Sequence, residues 1–319
     1  MGGQDIVNSE YQNLYKSMIK DKANAIIVEY SCLNQKFTYK PFSHKANESS
    51  LDELYDLVID NTVFYAFDED EILSLHDSLG ILDDLKSAAK YAFAERLPKR
   101  KDPNSDGTLG EVLLDLLIQA YEPHSQKLIA RAKYIEVGKK SEITGYDALY
   151  FTKNDDTITL WLGQAKAGAQ TYCKRDIKED LNTKFSTTYF AGTAFYISTR
   201  TSSKELLDIM NEINSLCFTA IKNNFSKKEK TEQLFYVLQK HKVNIKIPCL
   251  LAYTNNIYSD PLLLQKEIEK CTQQMCTYFD ANTYSIGIPL SYDIIFYVFP
   301  IKDVSYIRER IGAIKKEVV

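Results

Sequence analysis

No two cysteines of this chain form a CxxC pair. The six of them (Cys32, Cys173, Cys217, Cys249, Cys271, Cys276) are scattered, and Cys271 and Cys276, five apart on an expected helix, do not share a face well. Reduced, mostly buried thiols are the reading that follows. The four histidines are equally dispersed, which argues against a zinc site. No apolar run approaches transmembrane length, so no membrane association is expected. The opening MGGQDIVNSE lacks the basic-then-apolar order of a secretory signal. Met-Gly invites N-myristoylation, but Ile6 stands where Ser or Thr is required. A soluble cytoplasmic protein is expected. Basic residues are missing too: from Leu51 to Leu85 there is no Lys or Arg, while acids accumulate from Asp52 to Asp84.

With 319 residues the chain can bury a substantial core, in one large domain or two smaller ones. The formal charge of −4 excludes a generically sticky nucleic-acid binder. Cations nevertheless gather locally: Arg96, Lys99, Arg100 and Lys101, then Lys139 and Lys140, then Lys174, Arg175 and Lys178. A basic rim on an acidic protein suits a polyanionic substrate admitted to one cleft, and an ordinary solvated lysine surface reads the same way.

Read in order, the chain has an irregular lead-in and two strands, ANAIIVEYSCL and KFTYKPF. Three helical stretches follow, over Glu48–Asp60, Asp70–Leu79 and Ile81–Arg96. KRKDPNSDG, charged and rich in turn residues, divides an α+β region over residues 1–98 from a second unit over 107–319. That unit opens with an all-round apolar helix at Gly110-Glu111, followed by the strands AKYIEV, ALYF and TITLWLGQAK. Then come a helix over Ala169–Asn182, a strand AFYIS at Ala194–Ser198, and a capping box Ser202-x-x-Glu205 opening a helix to Asn223. A helix over Thr231–Lys240, the strand IKIPCLLAY, a helix begun by Asp260-Pro261, the buried strand DIIFYVF and a closing helix from Asp303 complete it. Strands alternating with helices predict an α/β sheet covered on both sides.

The spacing around Asp147 concentrates the chemistry. Asn154-Asp155-Asp156 is the only turn signal between ALYF and TITLWLGQAK, and a hairpin centred there sets Asp147 directly opposite Gln164. Opposed residues of an antiparallel pair share a face, and Lys166, two residues on, shares it as well. Ile158, Leu160 and Leu162 precede them there, so a carboxylate, a carboxamide and an ammonium emerge where an apolar strand face ends. That arrangement is costly in a core and ordinary at a metal-dependent site. Asp147 as a turn cap and Lys166 as a surface lysine are the bland alternatives. Glu111, in the first turn of its helix, also suits a plain N-terminal helix charge.

An acid on a helix, then Asp147, a gap and Gln164-x-Lys166 on the next strand is similar to the PD-(D/E)xK nuclease pattern. The resemblance implies a restriction-endonuclease-like core, a mixed central sheet flanked by helices. It implies Asp147, Gln164, the Ala165 carbonyl and Glu111 as ligands of Mg²⁺ (or Mn²⁺), and Lys166 as the catalytic lysine. Gln164 departs from the usual acid, keeping one carbonyl oxygen and losing a negative charge. The wider layout resembles the HamA effectors of the Hachiman antiphage defence system, which implies a DNA endonuclease working with HamB, a helicase-like ATPase. A non-catalytic assembly module on the same fold and a ribonuclease toxin are the alternatives.

Overall fold

The computed structural model describes residues 9–32, 36–80, 83–97, 107–131, 145–201 and 203–318. The chain begins with α1 (Ser9–Tyr15) and α2 (Asp21–Ile26), joined by a π-helical turn over Lys16–Lys20. This helical run corrects the expected irregular lead-in. It also shortens the first strand to β1 (Ile27–Glu29), because Ala23 faces the core from a helix. β2 (Thr38–His44) leads into α3 (Ser50–Ala66), α4 (Glu69–Leu79) and α5 (Leu85–Tyr91).

After the linker, described only at Gly107, comes α6 (Thr108–Tyr121), buried almost all round as its composition predicts; the AKYIEV strand lies outside the described residues. β3 (Gln126–Lys127), β4 (Ala148–Asn154) and β5 (Thr157–Gly168) form an antiparallel meander. α7 (Gln170–Thr183) and α8 (Thr187–Ser198) follow. The AFYIS segment is thus helical, not a strand. Ser186 caps α8 by accepting the Tyr189 amide, and the run continues that helix. α9 (Leu207–Lys222), α10 (Lys227–Lys240), β6 (Val243–Thr254), α11 (Leu264–Asp280), β7 (Tyr292–Ile301) and α12 (Val304–Val318) complete the chain. Ser202 of the expected capping box lies outside the described residues. α11 begins at Leu264 rather than at Pro261, because Asp260 caps a separate turn by accepting the Leu262 amide.

Among the described residues the strands make one mixed sheet in the order β1-β2-β7-β6-β5-β4-β3. β2, β7, β6 and β5 run parallel, and antiparallel pairs lie at both margins. Alternation along β5, β6 and β7 splits the core in two. Ala165, Leu250 and Tyr297 face α3, α5, α6 and α12, whereas Leu162, Cys249 and Phe296 face α7 to α11. β7 is buried on both faces, as its continuous apolar run predicts. Residues from Tyr11 to Leu97 share the first cluster with sheet residues, so the N-terminal helices pack on the same sheet as the site.

Candidate active site

The β4–β5 register is the one that the turn arithmetic requires: Ala148 pairs with Gly163 and Asn154 with Thr157, and Asp155 takes the left-handed turn conformation (φ 49°). Asp147 stands one step before the first pair and donates its amide to the Gly163 carbonyl at 2.8 Å. Its Oδ2 accepts the Ala165 amide at 2.8 Å. Main-chain N–H and C=O of one strand residue point the same way, so the Ala165 carbonyl also faces the side where the β4 ladder is absent. On the other margin Pro248 lacks an N–H. The β5–β6 pairing accordingly skips Leu162 and Gly163 and resumes at Gln164 and Cys249.

Glycines set the approach of α6. A Cβ on Gly163 would fall 2.8 Å from Leu114 and 2.9 Å from Ala148, and one on Gly110 would touch Ala165 at 3.4 Å. Only glycine at 163 lets the helix lie this close, and the contact at Gly110 sets Glu111 beside the end of β5. Glu111 comes from the sheet face opposite to Gln164. It is buried and accepts a hydrogen bond from the Tyr65 hydroxyl, with Arg131 Nη2 at 3.2 Å. Arg131 also lines a cleft with Tyr65 and Asp147 and acts electrostatically on Asp147.

On the opposite face Gln164 is fully buried, and Lys166 is partly buried. Two residues that the sequence reading does not single out, Asp180 of α7 and Lys184 just after its end, complete this face. Asp180 Oδ2 lies 2.7 Å from Lys166 Nζ, and Lys184 Nζ lies 3.3 Å from Asp180 Oδ1. Lys184 also donates to Gln164 Oε1 at 2.5 Å. A signal for them existed: Cys173, Ile177, Asp180 and Lys184 form a helical stripe, and charges on a stripe begun by buried residues call for partners. Tyr146 fastens the assembly, donating its hydroxyl to the Lys184 carbonyl at 2.8 Å.

The charges tune one another. Burial and Glu111 push the Asp147 carboxyl above its ordinary value, against the pull of Lys184, Lys166 and Arg131. Burial alone would lower Lys166, but the carboxylates of Asp147 and Asp180 outweigh it and hold the ammonium well above its ordinary range. Lys166 is therefore charged at any physiological pH.

No group of three or more His, Cys, Asp or Glu able to hold a metal ion occurs among the described residues. The oxygen set is lighter: Asp147, the Gln164 amide and the outward Ala165 carbonyl, with Glu111 tied to Arg131 and Tyr65. It fits a hard ion that keeps most of its own waters, as Mg²⁺ does, rather than a caged ion. Among the described residues the buried Gln164 Nε2 has no hydrogen-bond partner, so the amide has a donor to spare.

A family model, HamA, matches residues 16–314, an interval that contains every residue of this site. The chain belongs to the HamA family. No curated protein and no solved structure matches it. Membership fits a role in antiphage defence. Among the described residues of this HamA-family chain, no helix is long and apolar enough to cross a membrane.

Proposed function

We propose that this HamA-family chain is a metal-dependent endonuclease that cleaves DNA phosphodiester bonds. In this reading it is a defence effector whose activity is governed by a HamB-like helicase partner. The observation that carries the proposal is the meeting of Asp147, Gln164 and Lys166 where the apolar face of β5 ends, around an outward main-chain carbonyl.

Asp147, the Gln164 oxygen and the Ala165 carbonyl would hold Mg²⁺ (or Mn²⁺). Such an ion supplies a water acidified enough to attack phosphorus, and neutralises charge growing on the phosphate oxygens. Lys166, kept charged by two carboxylates, would orient the attacking water and neutralise charge growing on the phosphate. Asp180 aims Lys166. Glu111, whose Oε2 is engaged by Arg131 and Tyr65, raises the Asp147 carboxyl through its charge.

The test is incubation of purified protein with matched DNA and RNA substrates, with and without Mg²⁺ and with the partner helicase added. Metal-dependent cleavage of DNA supports the proposal, and cleavage of RNA alone makes the protein a ribonuclease. Silence on both, partner present, leaves a non-catalytic assembly module. The light donor set and the ammonium on Gln164 are the features that favour this last reading.

A further inference from the structure

Gln164 already has a cation. Its only carbonyl oxygen lies 2.5 Å from Lys184 Nζ, in a side chain with no exposure to solvent. Among the described residues the amide nitrogen makes no hydrogen bond, and the bond from Lys184 sets which way the amide points. The backbone of Lys184 is pinned to the site through Tyr146, but its side chain is 21% exposed and has a route outward. Asp180 Oδ1 waits 3.3 Å from the same ammonium, one helical turn back along α7.

An ammonium and a divalent ion on the same amide oxygen repel each other across a few ångströms of weakly screened protein. We infer that Lys184 is a resident cation that a divalent metal must displace from Gln164, with Asp180 receiving the displaced ammonium. This rests on the metal-dependent reading above and adds a gate to it. In the absence of metal the site is held closed by its own lysine, and loading requires that one side chain move a short way towards a carboxylate already beside it. The neutral Gln164 suits such an exchange. A single hydrogen bond to an uncharged oxygen is more readily given up than the buried ion pair a Glu would form.

The experiment titrates Mn²⁺ into the metal-free full-length chain without nucleic acid, followed by calorimetry and by the electron paramagnetic signal of the free ion. Lys184→Met is expected to bind Mn²⁺ roughly tenfold more tightly than wild type, or better, since a repelling charge is gone. Lys184→Arg, which keeps charge and reach, should stay within about threefold of wild type. Lys178→Met removes the same charge from α7 at a position that makes no bond to Gln164, and should leave affinity unchanged. If Lys184→Met does not fold, Lys184→Gln keeps a hydrogen bond without the charge and is expected to show the same gain. Equal or weaker binding by the neutral variants overturns the inference, as does an equal gain in Lys178→Met. Binding by all forms alike removes the gate and leaves the metal reading standing. Absence of Mn²⁺ binding in wild type and in both neutral Lys184 variants removes the metal reading and the gate with it.

Discussion

Asp147 Oδ2 accepts the Ala165 amide at 2.8 Å, just beyond the point where the β4–β5 ladder ends. One carboxylate thus closes a gap in the sheet and still lies beside Gln164 and Lys166. Its structural and chemical roles can be separated. Asparagine retains an acceptor for the Ala165 amide and removes the charge.

Lys166→Ala is expected to abolish cleavage and to leave the fold intact. The ammonium is partly exposed and paired to an acid that Lys184 also serves, so the stability cost should be about 1 kcal/mol or less. Denaturant unfolding beside a nicking assay checks both halves. Loss of soluble protein would assign Lys166 a structural role instead.

Glu111 should behave in the opposite way. It shares a buried ion pair with Arg131, and removing one partner of such a pair typically costs about 3–5 kcal/mol. Glu111→Ala is therefore expected to lower the unfolding free energy far more than Lys166→Ala does. Equal stabilities in urea would mean that Arg131 finds another partner.

Gln164→Glu is expected to keep cleavage and to bind Mn²⁺ more tightly than wild type, because a second carboxylate joins Asp147 and a divalent ion gains more from it than Lys184 does. A folded variant without activity would mean that Gln164 serves substrate or Lys166 rather than metal. Calorimetry and plasmid nicking on one preparation decide this.

Asp147 also carries a pH signature. Its folded pKa lies above its unfolded value, near 4 for an ordinary carboxylate. Between the two values the native state binds more protons, so stability falls as pH rises through that window. The metal-free wild type should therefore lose stability relative to Asp147→Asn as pH is raised from about 4 towards neutrality. A difference that is flat with pH, or of opposite slope, would place the carboxyl in a favourable ionic environment instead.

Much of this was legible beforehand, for identifiable reasons. The register of β4 on β5 follows from a period of two and one turn signal, and it placed Asp147, Gln164 and Lys166 together. AFYIS reads as a strand because four apolar residues and a serine have no period of their own, and the deciding signal is the cap at Ser186, several residues upstream. Asp180 and Lys184 were missed because no motif of the strand pair extends into α7. The acids at Asp68–Glu71 look in the sequence like a plain solvated charge run. Asp68 and Glu71 instead build the capping box of α4, Glu71 also pairs with Arg96, and burial pushes Glu69 up to about 7. Of the four, only Asp70 is exposed, so charge reversal across the run would loosen the start of α4.

The most direct measurement is Mg²⁺-dependent nicking of supercoiled plasmid by wild type beside Asp147→Asn, both verified as folded and both supplied with the partner helicase. Wild type is expected to nick only when metal is present, and Asp147→Asn to be slower by about a hundredfold or more. Equal rates in the two proteins, or wild-type nicking that persists in chelator, would contradict a metal-dependent nuclease at Asp147.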